Sequence, residues 1–520
     1  MLATVHAATL QGVYGVPVAV EVHVANGLPG FTVVGLPDAS CREARDRVRA
    51  ALLTSGFRWP DRRTTVNLAP SSVKKIGSAL DLAIAMGVLV ASEQIPKSLI
   101  EHKAFLSELG LDGTLRPVPG VLSLVDGALC SQVIVAPHSA HEASLVPNVR
   151  VLSAPDMRVL IHALLGEEPW PTPPPNDLLV RGEREPDLRE VRGQRVARFA
   201  IEVAAAGGHH TLFVGPPGAG KTMLAKRIVS ILPDLDDDDA FEVTRVHSAA
   251  GLVNGGLLRR PPFRAPHHSA SMAAMVGGGS RHFQPGEISL AHGGVLFLDE
   301  LGEFAPSVLD SLRQPIEEGV IRVARAEQRI EMPARVLVVA AMNPCPCGEG
   351  ITPSACRCSP RALEKYRRRI SGPLLDRFDL RLELHRPLPD EVLSTTQSEA
   401  SASISQRVLM ARQRAQARNV RVNAELNGED LEKWAPLSAE ASKLLETAML
   451  VGRISARGMR RIWRLALTLA DLSAADPPLS AEMIMAAVEL RAIPAFLTHL
   501  HGDGNNFSYV DDAARGITNV

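Results

Sequence analysis

The chain has 520 residues, of which 46% are hydrophobic and 22% charged, with a formal net charge of −1 at pH 7. This is ordinary globular composition, and the length allows roughly three domains at ~150 residues each. The sequence has no run of about 18 apolar residues, and its start lacks a basic region followed by an apolar block. We therefore expect no membrane span, no signal peptide and a cytoplasmic location. Because the net charge is close to zero, any DNA binding must come from local basic patches.

A proline-rich stretch, PWPTPPP, divides the chain, because a stiff extended segment of this kind fits neither a helix nor a sheet. Before it, strand and helix patterns predict an α/β domain. After it, the apolar segments TLFVG, GVLFLD and RVLVVAAMN, separated by helical segments, predict a doubly wound parallel sheet. Four helical segments beyond Pro389 predict a small bundle. We predict domains at residues 1–165, 188–388 and 389–500, a linker at 166–187 and a loose tail at 501–520.

The strand-like segment TLFVG leads directly into GPPGAGKT, which matches G-x-x-x-x-G-K-[ST] and precedes the helical segment MLAKRIVSIL. In such a loop, backbone N–H groups surround phosphates, the lysine contacts the β and γ oxygens, and the final hydroxyl binds Mg²⁺. A glycine-rich turn without a ligand is the alternative, disfavoured because strand, motif and helix coincide. We predict that ATP and Mg²⁺ bind here, at Gly215, Pro216, Pro217, Gly218, Ala219, Gly220, Lys221 and Thr222.

Two polar positions follow the next apolar strands. GGVLFLDEL delivers Asp299 and Glu300 to a strand end, and RVLVVAAMN delivers Asn343 to another. Open α/β sheets bind ligands at the carboxyl ends of their strands. We therefore expect Asp299 to bind Mg²⁺, Glu300 to orient or deprotonate the attacking water, and Asn343 to contact that water or the γ-phosphate. A solvated turn remains the alternative for the acidic pair, and a helix or turn cap the alternative for Asn343.

With these motifs in order, the region from about Leu188 to Pro387 resembles the AAA+ ATPases. The segment VIRVARAEQRIEM resembles the pre-sensor hairpin that MCM helicases share with magnesium-chelatase ATPase subunits. PFRAPHHSAS, GEISLAHGGVLFLDE and SGPLLDRFDL resemble the magnesium-chelatase-like family of YifB and ComM, as do GLPDASCREARDRVRAAL and VNLAPSSVKKIGSALDLAIAMG nearer the start. The resemblance therefore covers most of the chain.

This resemblance implies further roles. Asn343 would be the sensor 1 residue, Arg377 the arginine finger and Arg457 the sensor 2 residue. A finger that acts on the neighbouring subunit requires a ring, and a homo-hexamer is the family expectation. The residues alone leave open an ion pair of Arg377 with Asp376 or Asp379.

The N-terminal domain resembles the Lon-protease fold. Proteolysis by that fold requires a serine and a lysine, whereas Ala79 and Asp81 stand around the expected nucleophile position here. Ser78 is a weak substitute, so we predict that this domain has no peptidase activity.

Four cysteines, Cys345, Cys347, Cys356 and Cys358, form two C-x-C pairs. Four soft ligands on one short loop are typical of a structural, tetrahedral zinc site. Four free thiols are the alternative, because paired C-x-C is less common in zinc sites than C-x₂-C.

The predicted hairpin carries Arg322, Arg325 and Arg329, and Arg325 occupies the place of a pore-facing basic residue in the resembling hairpins. In a ring, such residues would bind DNA phosphates without regard to sequence. A solvated hairpin is the alternative. A second arginine stripe lies at Arg407, Arg414, Arg418 and Arg421, and we expect it to be solvated. The aspartate-rich run at 234–239 is predicted to be a solvated loop.

These expectations favour a ring-shaped, ATP-driven motor that acts on branched or single-stranded DNA, as the ComM resemblance implies. The alternative is a chelatase-like ATPase that remodels a protein partner. A nucleotide-dependent binding switch without turnover is disfavoured because Glu300, Asn343 and Arg377 are all present.

Overall fold

The computed structural model describes residues 1–174, 185–253, 256–279, 283–325, 328–349, 356–393, 398–451 and 454–492. The predicted tail at 501–520 and part of the predicted linker lie outside these ranges. The described chain is a mixed α/β protein, in which two sheet-containing regions are followed by helices. No helix in these ranges is both long and apolar enough to span a bilayer.

The N-terminal region contains nine strands and five helices. The strands are β1 (Leu2–Gln11), β2 (Tyr14–Ala25), β3 (Gly30–Val34), β4 (Arg63–Ala69), β5 (Lys103–Leu106), β6 (Glu108–Leu109), β7 (Leu115–Arg116), β8 (Gln132–Val135) and β9 (Arg150–Ser153). The helices are α1 (Ala39–Thr54), α2 (Asp81–Ala91), α3 (Val121–Gly127), α4 (Ala140–Ala143) and α5 (Met157–Leu165).

Seven of these strands form one sheet in the order β3-β4-β2-β1-β5-β8-β9, with β1 and β2 as an antiparallel hairpin. Every residue of helix α2 is buried, all but the first, Asp81, are uncharged, and the helix packs against β1 and β2. Helix α1 begins after Asp38, whose side chain caps it by accepting a hydrogen bond from the Cys41 N–H group at 2.8 Å.

The central region alternates helices and strands. Its strands are β10 (Thr211–Val214), β11 (Phe263–Arg264), β12 (Gly277–Gly278), β13 (Gln284–Pro285), β14 (Val295–Leu298), β15 (Val320–Arg325), β16 (Gln328–Pro333), β17 (Leu337–Met342) and β18 (Leu380–Glu383). Its helices are α6 (Arg195–Gly207), α7 (Lys221–Arg227), α8 (Asp237–Ala249), α9 (Met272–Val276), α10 (Glu287–Leu290), α11 (Pro306–Ser311), α12 (Arg313–Glu318), α13 (Pro360–Arg367), α14 (Gly372–Leu375) and α15 (Pro389–Leu393).

Five strands of this region form a parallel sheet in the order β11-β14-β17-β10-β18. Along the central strands β10, β14 and β17, successive side chains point alternately to the two faces of the sheet and pack into two different cores. Phe213, Phe297 and Val339 face the core that contains α6 and the C-terminal helices, whereas Leu212 and Leu296 face the core that contains the β15–β16 hairpin. Burial on both faces explains why β14 and β17 are apolar throughout and β10 nearly so, as predicted.

The C-terminal helices are α16 (Ser401–Gln416), α17 (Gly428–Trp434), α18 (Ala439–Leu450), α19 (Ala456–Leu472) and α20 (Ala481–Leu490). They share one core with the parallel sheet, since Ile404 and Leu465 belong to the same buried cluster as Phe213.

The arginine stripe on and after α16 is not simply solvated, which corrects that expectation. Arg407 pairs with Glu202 and Glu399, Arg418 with Asp471 and Arg421 with Asp239, and Arg414 donates to a main-chain carbonyl. The contacts with Glu202 and Asp239 join the helical bundle to the central region, and the contacts of Arg414 and Arg418 lie within the bundle.

The aspartate-rich run is also different from the predicted loop. Asp236 caps α8 by accepting from the Asp239 N–H group at 2.8 Å, and Asp237, Asp238 and Asp239 form the first turn of that helix. Carboxylates are favourable there because they face the positive end of the helix dipole. The run is therefore a helix start.

Candidate nucleotide site

The predicted phosphate loop lies between β10 and α7, at the carboxyl edge of the parallel sheet. Gly218 and Gly220 adopt φ values of +81° and +85°, a region that glycine enters without a steric penalty. The Lys221 ammonium donates to the carbonyl oxygens of Gly215 at 2.6 Å and Pro216 at 3.0 Å, which holds it inside the loop. Burial lowers the pKa of Lys221, and the nearby Asp299 carboxylate acts in the opposite direction.

Two of the predicted magnesium ligands are adjacent. The Thr222 hydroxyl donates to Asp299 Oδ2 at 2.8 Å, which joins the start of α7 to the end of β14. Neighbouring oxygens around octahedral Mg²⁺, at about 2.1 Å from the ion, lie about 3.0 Å apart. A hydroxyl and a carboxylate in this arrangement therefore fit two adjacent positions of such an ion.

Glu300 follows Asp299 in a left-handed conformation with φ of +54°, and its N–H group donates to Asp299 Oδ1 at 3.0 Å. This uncommon backbone turns the Glu300 side chain away from the strand direction. Its Oε2 atom lies 2.9 Å from His268 Nδ1. The sequence analysis did not single out His268. No motif pointed to it, because its place in the site depends on β11, which it follows, lying beside β14 in the sheet.

Asn343 comes directly after β17 and contacts the phosphate loop. Its Oδ1 atom accepts a hydrogen bond from the Lys221 ammonium at 3.1 Å, and its main-chain carbonyl accepts one from the Tyr366 hydroxyl at 3.1 Å. Tyr366 packs closely on Gly302, just after Glu300, because a side-chain carbon on that glycine would lie 2.5 Å from the ring. Burial raises the pKa of Tyr366, and the charge of Glu303 adds to the shift, so the hydroxyl stays protonated. Tyr366 therefore connects two strand ends of the site.

Arg377 follows α14 and is paired within its own chain. Its guanidinium lies 2.5 Å from a Glu317 carboxylate oxygen and donates to the Pro373 carbonyl at 2.5 Å. Neither partner named by the sequence analysis binds it, because Asp376 pairs with another arginine and Asp379 with others. The buried Nε atom of Arg377 has no hydrogen-bond partner among the described residues.

The loop that carries Arg377 is anchored to α19. Arg461 donates to the Arg377 carbonyl at 3.0 Å and to Asp379 Oδ1 at 2.6 Å. Burial raises the pKa of Asp379, but a hydrogen bond with His209 and the charge of Arg461 outweigh it and hold the pKa far below its usual range. Arg457, predicted as the sensor 2 residue, lies exposed in the first turn of α19. The contact made by Arg461 was missed because several arginines crowd this segment.

The four cysteines come together beside Asn343. Their sulfur atoms all lie within 4.8 Å of one another, with Cys356 3.8 Å from Cys345 and 3.9 Å from Cys347. Four sulfurs at about 2.3 Å from a tetrahedral ion lie about 3.8 Å apart, so the cluster could bind a metal. Backbone hydrogen bonds from Glu349 and Arg357 lower the pKa of Cys347 to about 6, whereas burial raises the pKa of Cys345 to about 12, so Cys347 is the thiol of this pair that favours the thiolate form.

The predicted hairpin is present as β15 and β16, which pair antiparallel between α12 and β17. Ile321, Ile330 and Met332 are buried at its base. Arg322 pairs with Glu318 and Glu331 and is therefore neutralised within the hairpin. Arg329 is exposed, and no described residue forms an ion pair with its guanidinium. The side chain of Arg325 lies outside the described part of the structure.

In the N-terminal region, Ser78 donates to the Glu108 carboxylate. Lys75 is buried, and its ammonium donates to the main-chain carbonyls of Pro70 and Val73. Asp81 is buried against Arg47, whose guanidinium donates to it at 2.6 and 2.9 Å. Lys75 is thus held by main-chain carbonyls, and Asp81 by Arg47.

Comparison with known proteins gives three matching family profiles. They are subunit ChlI of Mg-chelatase over residues 20–139, magnesium chelatase subunit ChlI over residues 187–392, and the C-terminal part of the same subunit over residues 398–491. A shorter match, 27% identical over 143 residues, covers 26% of this chain and 26% of Lon protease 2 of Bacillus subtilis.

Two relatives match nearly the whole chain. The uncharacterized protein YifB of Salmonella typhimurium is 42% identical over 507 residues, which covers 96% of this chain and 99% of YifB. Competence protein ComM of Haemophilus influenzae is 44% identical over 480 residues, which covers 91% of this chain and 94% of ComM. The chain therefore belongs to the YifB/ComM family of magnesium-chelatase-like AAA+ ATPases.

Proposed function

We propose that this AAA+ ATPase is a ring-shaped motor that moves on branched or single-stranded DNA, as in branch migration or unwinding. The observation that carries the proposal is the placement of the β15–β16 hairpin. Along the chain it lies between β14, which Asp299 follows directly, and β17, which Asn343 follows directly. The hairpin leads almost directly into β17 and is linked to β14 through α11 and α12, so it is suited to change position with the state of the nucleotide.

Each of the polar residues at this edge of the sheet has a proposed role in ATP hydrolysis. Mg²⁺, bound by Thr222 and Asp299, would neutralise charge on the phosphates. Lys221 binds the β and γ oxygens, and Glu300 accepts a proton from the attacking water. Asn343 orients that water. The hydrogen bond between the Asn343 amide and Lys221 supports this role.

The ring is the second part of the proposal. Arg377 would stabilise the transferring phosphoryl group of a neighbouring subunit in a homo-hexamer. Its bond with Glu317 would be exchanged for one with that phosphate when the ring assembles. The anchor from Arg461 to the Arg377 carbonyl supports the assignment, because it fixes the backbone and leaves the guanidinium free to exchange partners.

DNA would be bound through its phosphates by hairpin arginines from several subunits. Arg329 and Arg325 are the proposed contacts, and Arg322 contributes less because Glu318 and Glu331 neutralise it. Contacts of this kind are independent of sequence and weaken as salt rises. The relative ComM of Haemophilus influenzae is named a competence protein, which supports a substrate of this class.

We propose zinc for the four-cysteine cluster, as a structural ion. Thiolate sulfur is a soft ligand that zinc accepts in closed tetrahedral sites. Metal analysis of protein purified without chelators is expected to give one zinc per chain. Protein that is folded and free of zinc would contradict the assignment.

The test of the motor is ATP turnover by the purified protein with and without forked or four-way DNA. We expect strong stimulation by DNA, loss of that stimulation in Arg325→Ala, and loss of turnover in Glu300→Gln. Turnover that depends on Glu300 and is unaffected by every DNA structure would contradict the motor and leave the ATPase.

A second candidate is a chelatase-like ATPase that remodels a protein partner. The neutralisation of Arg322 and the net charge of −1 favour it, since both reduce attraction to a polyanion. Stimulation of ATP turnover by a protein partner, and not by DNA, would support this candidate.

A further inference from the structure

The cysteine loop touches the phosphate loop directly. Gly348 follows Cys347 with φ of +85°, and its N–H group donates to the Cys345 carbonyl at 3.0 Å. A side-chain carbon added at Gly348 would lie 2.7 Å from Cδ of Pro217, so only glycine lets the two loops come this close. Pro217 is one of the residues between the glycines of the phosphate loop.

A second contact joins the same two loops. Arg386, shortly after β18, donates from Nε to the Pro217 carbonyl at 3.2 Å and pairs with Glu349 at 2.5 Å. Arg386 thus connects Glu349, which follows Gly348, to Pro217, which Gly348 contacts. Both partners of this ion pair are partly exposed, and exposed pairs of this kind contribute little by themselves. The rigidity of the contact must therefore come from the loop that presents Gly348 and Glu349.

The cysteines are placed to supply that rigidity. Cys345 and Cys347 immediately precede the contact residues, and Cys356 and Cys358 close the loop from its other end. Cys345 is fully buried, two residues after Asn343. An ion bound by all four sulfurs would fix both ends of the loop, because metal binding orders the chain that supplies the ligands.

We propose that the metal bound by the four cysteines braces the phosphate loop, so that its occupancy sets the affinity of the site for nucleotide. This inference rests on the proposed zinc site and on the ATPase. With the ion bound, Gly348 and Glu349 hold Pro217 in the conformation that binds phosphates. Loss of the ion by chelation frees Gly348 and Glu349 and weakens binding.

The first experiment measures zinc content and the Kd for a fluorescent ADP analogue in the full chain. Cys356→Ser combined with Cys358→Ser is expected to lose zinc and to weaken binding at least about fivefold. Cys130→Ser, which changes a cysteine outside the cluster, is the matched control and is expected to keep both. Thermal melting of each variant identifies any general loss of folding.

A second pair of variants removes the contacts with the phosphate loop and keeps the metal ligands, which distinguishes the effect of the contacts from that of the ion. Gly348→Val and Arg386→Gln break the contacts with Pro217 and leave all four sulfurs in place. They are expected to retain one zinc per chain and to bind the ADP analogue several-fold more weakly. Gly372→Ala is the control, because a carbon added at Gly372 meets no atom within 4 Å.

The outcomes are distinct. If the cysteine variants lose zinc and their nucleotide affinity is unchanged, the brace is overturned. Unchanged affinity in Gly348→Val and Arg386→Gln would overturn it as well. Neither result would contradict the zinc site or the ATPase. Wild-type protein without zinc would overturn the zinc site and the brace together. Wild-type protein that binds zinc and does not bind the ADP analogue would contradict the nucleotide site itself.

Discussion

At the scale of single residues, the site consists of polar groups that are already bonded to one another. Lys221 contacts Asn343, Thr222 contacts Asp299, and Glu300 contacts His268. The first two pairs join residues that the motifs predict. The third could not be predicted from a motif, because it depends on which strand lies beside β14 and on the left-handed backbone of Glu300.

Glu300→Gln is expected to reduce ATP turnover at least ~100-fold, the low end of what a general base contributes. Nucleotide affinity should change little, because the side chain of Glu300 points to His268 and the phosphate contacts belong to other residues. Turnover and the Kd for ATP, measured on the same preparation, check this. Turnover near the wild-type rate would exclude Glu300 as the base.

His268→Ala is expected to lower kcat about tenfold with little change in KM for ATP, because a hydrogen bond to a charged group is worth about 1.5 kcal/mol. His268→Asn retains a donor at this position and should recover part of the loss. His138→Ala, at an exposed histidine of the N-terminal region, is the control. An unchanged or faster kcat in His268→Ala would show that His268 does not position Glu300 for the reaction.

At the scale of elements, the strands and helices with a continuous or periodic apolar pattern were predictable. β10, β14 and β17 are buried on both faces, and α1 begins at a capping aspartate. The aspartate-rich run and the arginine stripe were misjudged for one reason. Charged residues alone do not reveal their partners, and here a helix dipole and distant carboxylates supply them.

The hairpin gives a test with an internal control. Arg329→Ala is expected to weaken DNA binding about tenfold and to reduce its salt dependence, because an exposed arginine can bind phosphate. Arg322→Ala should change affinity by less than about twofold, since Glu318 and Glu331 already neutralise it. Titration of labelled single-stranded DNA at several salt concentrations measures both. Equal effects of the two changes would argue against this surface of the hairpin as the DNA contact.

Arg461 gives a test of the connection between α19 and the Arg377 loop. Arg461→Ala leaves the buried Asp379 with fewer partners, at a cost of about 3 kcal/mol, and should lower the midpoint of thermal unfolding by several degrees. Arg457→Ala, at an exposed position in the same helix, should change it little.

The pH dependence of the stability lost in Arg461→Ala follows from the depressed pKa of Asp379 in the folded protein. The stabilisation by the ionised Asp379 is complete above the pKa of an aspartate in the unfolded chain, about 3.9, and is lost only in stronger acid. The effect of Arg461→Ala should therefore be equal at pH 6 and pH 8. A loss that grows between these values would require another titrating group.

At the scale of the whole molecule, the order of regions and the fold class followed from the sequence, whereas the contacts between regions did not. Arg245 of α8 pairs with Asp126 of α3 at 2.7 Å, and Val13, between β1 and β2, enters the core that contains the hairpin. Such contacts join residues far apart in the chain, so no local sequence pattern predicts them. They place the N-terminal region against the element proposed to bind DNA.

Assembly into a ring has its own test. Glu300→Gln and Arg377→Ala should each be inactive alone, yet mixed subunits should regain part of the turnover. Some interfaces would then combine an intact Glu300 from one subunit with an intact Arg377 from its neighbour. No recovery in mixtures that form rings by light scattering would place Arg377 in its own subunit's structure and not in catalysis across an interface.

The most direct test of the motor is ATP-driven separation of a four-way DNA junction, followed by the fluorescence of labels on two of its strands. We predict separation by wild-type protein with ATP, none with a non-hydrolysable analogue or in Glu300→Gln, and strongly reduced rates in Arg329→Ala. A junction that stays intact while wild-type protein hydrolyses ATP at full rate would contradict the DNA motor.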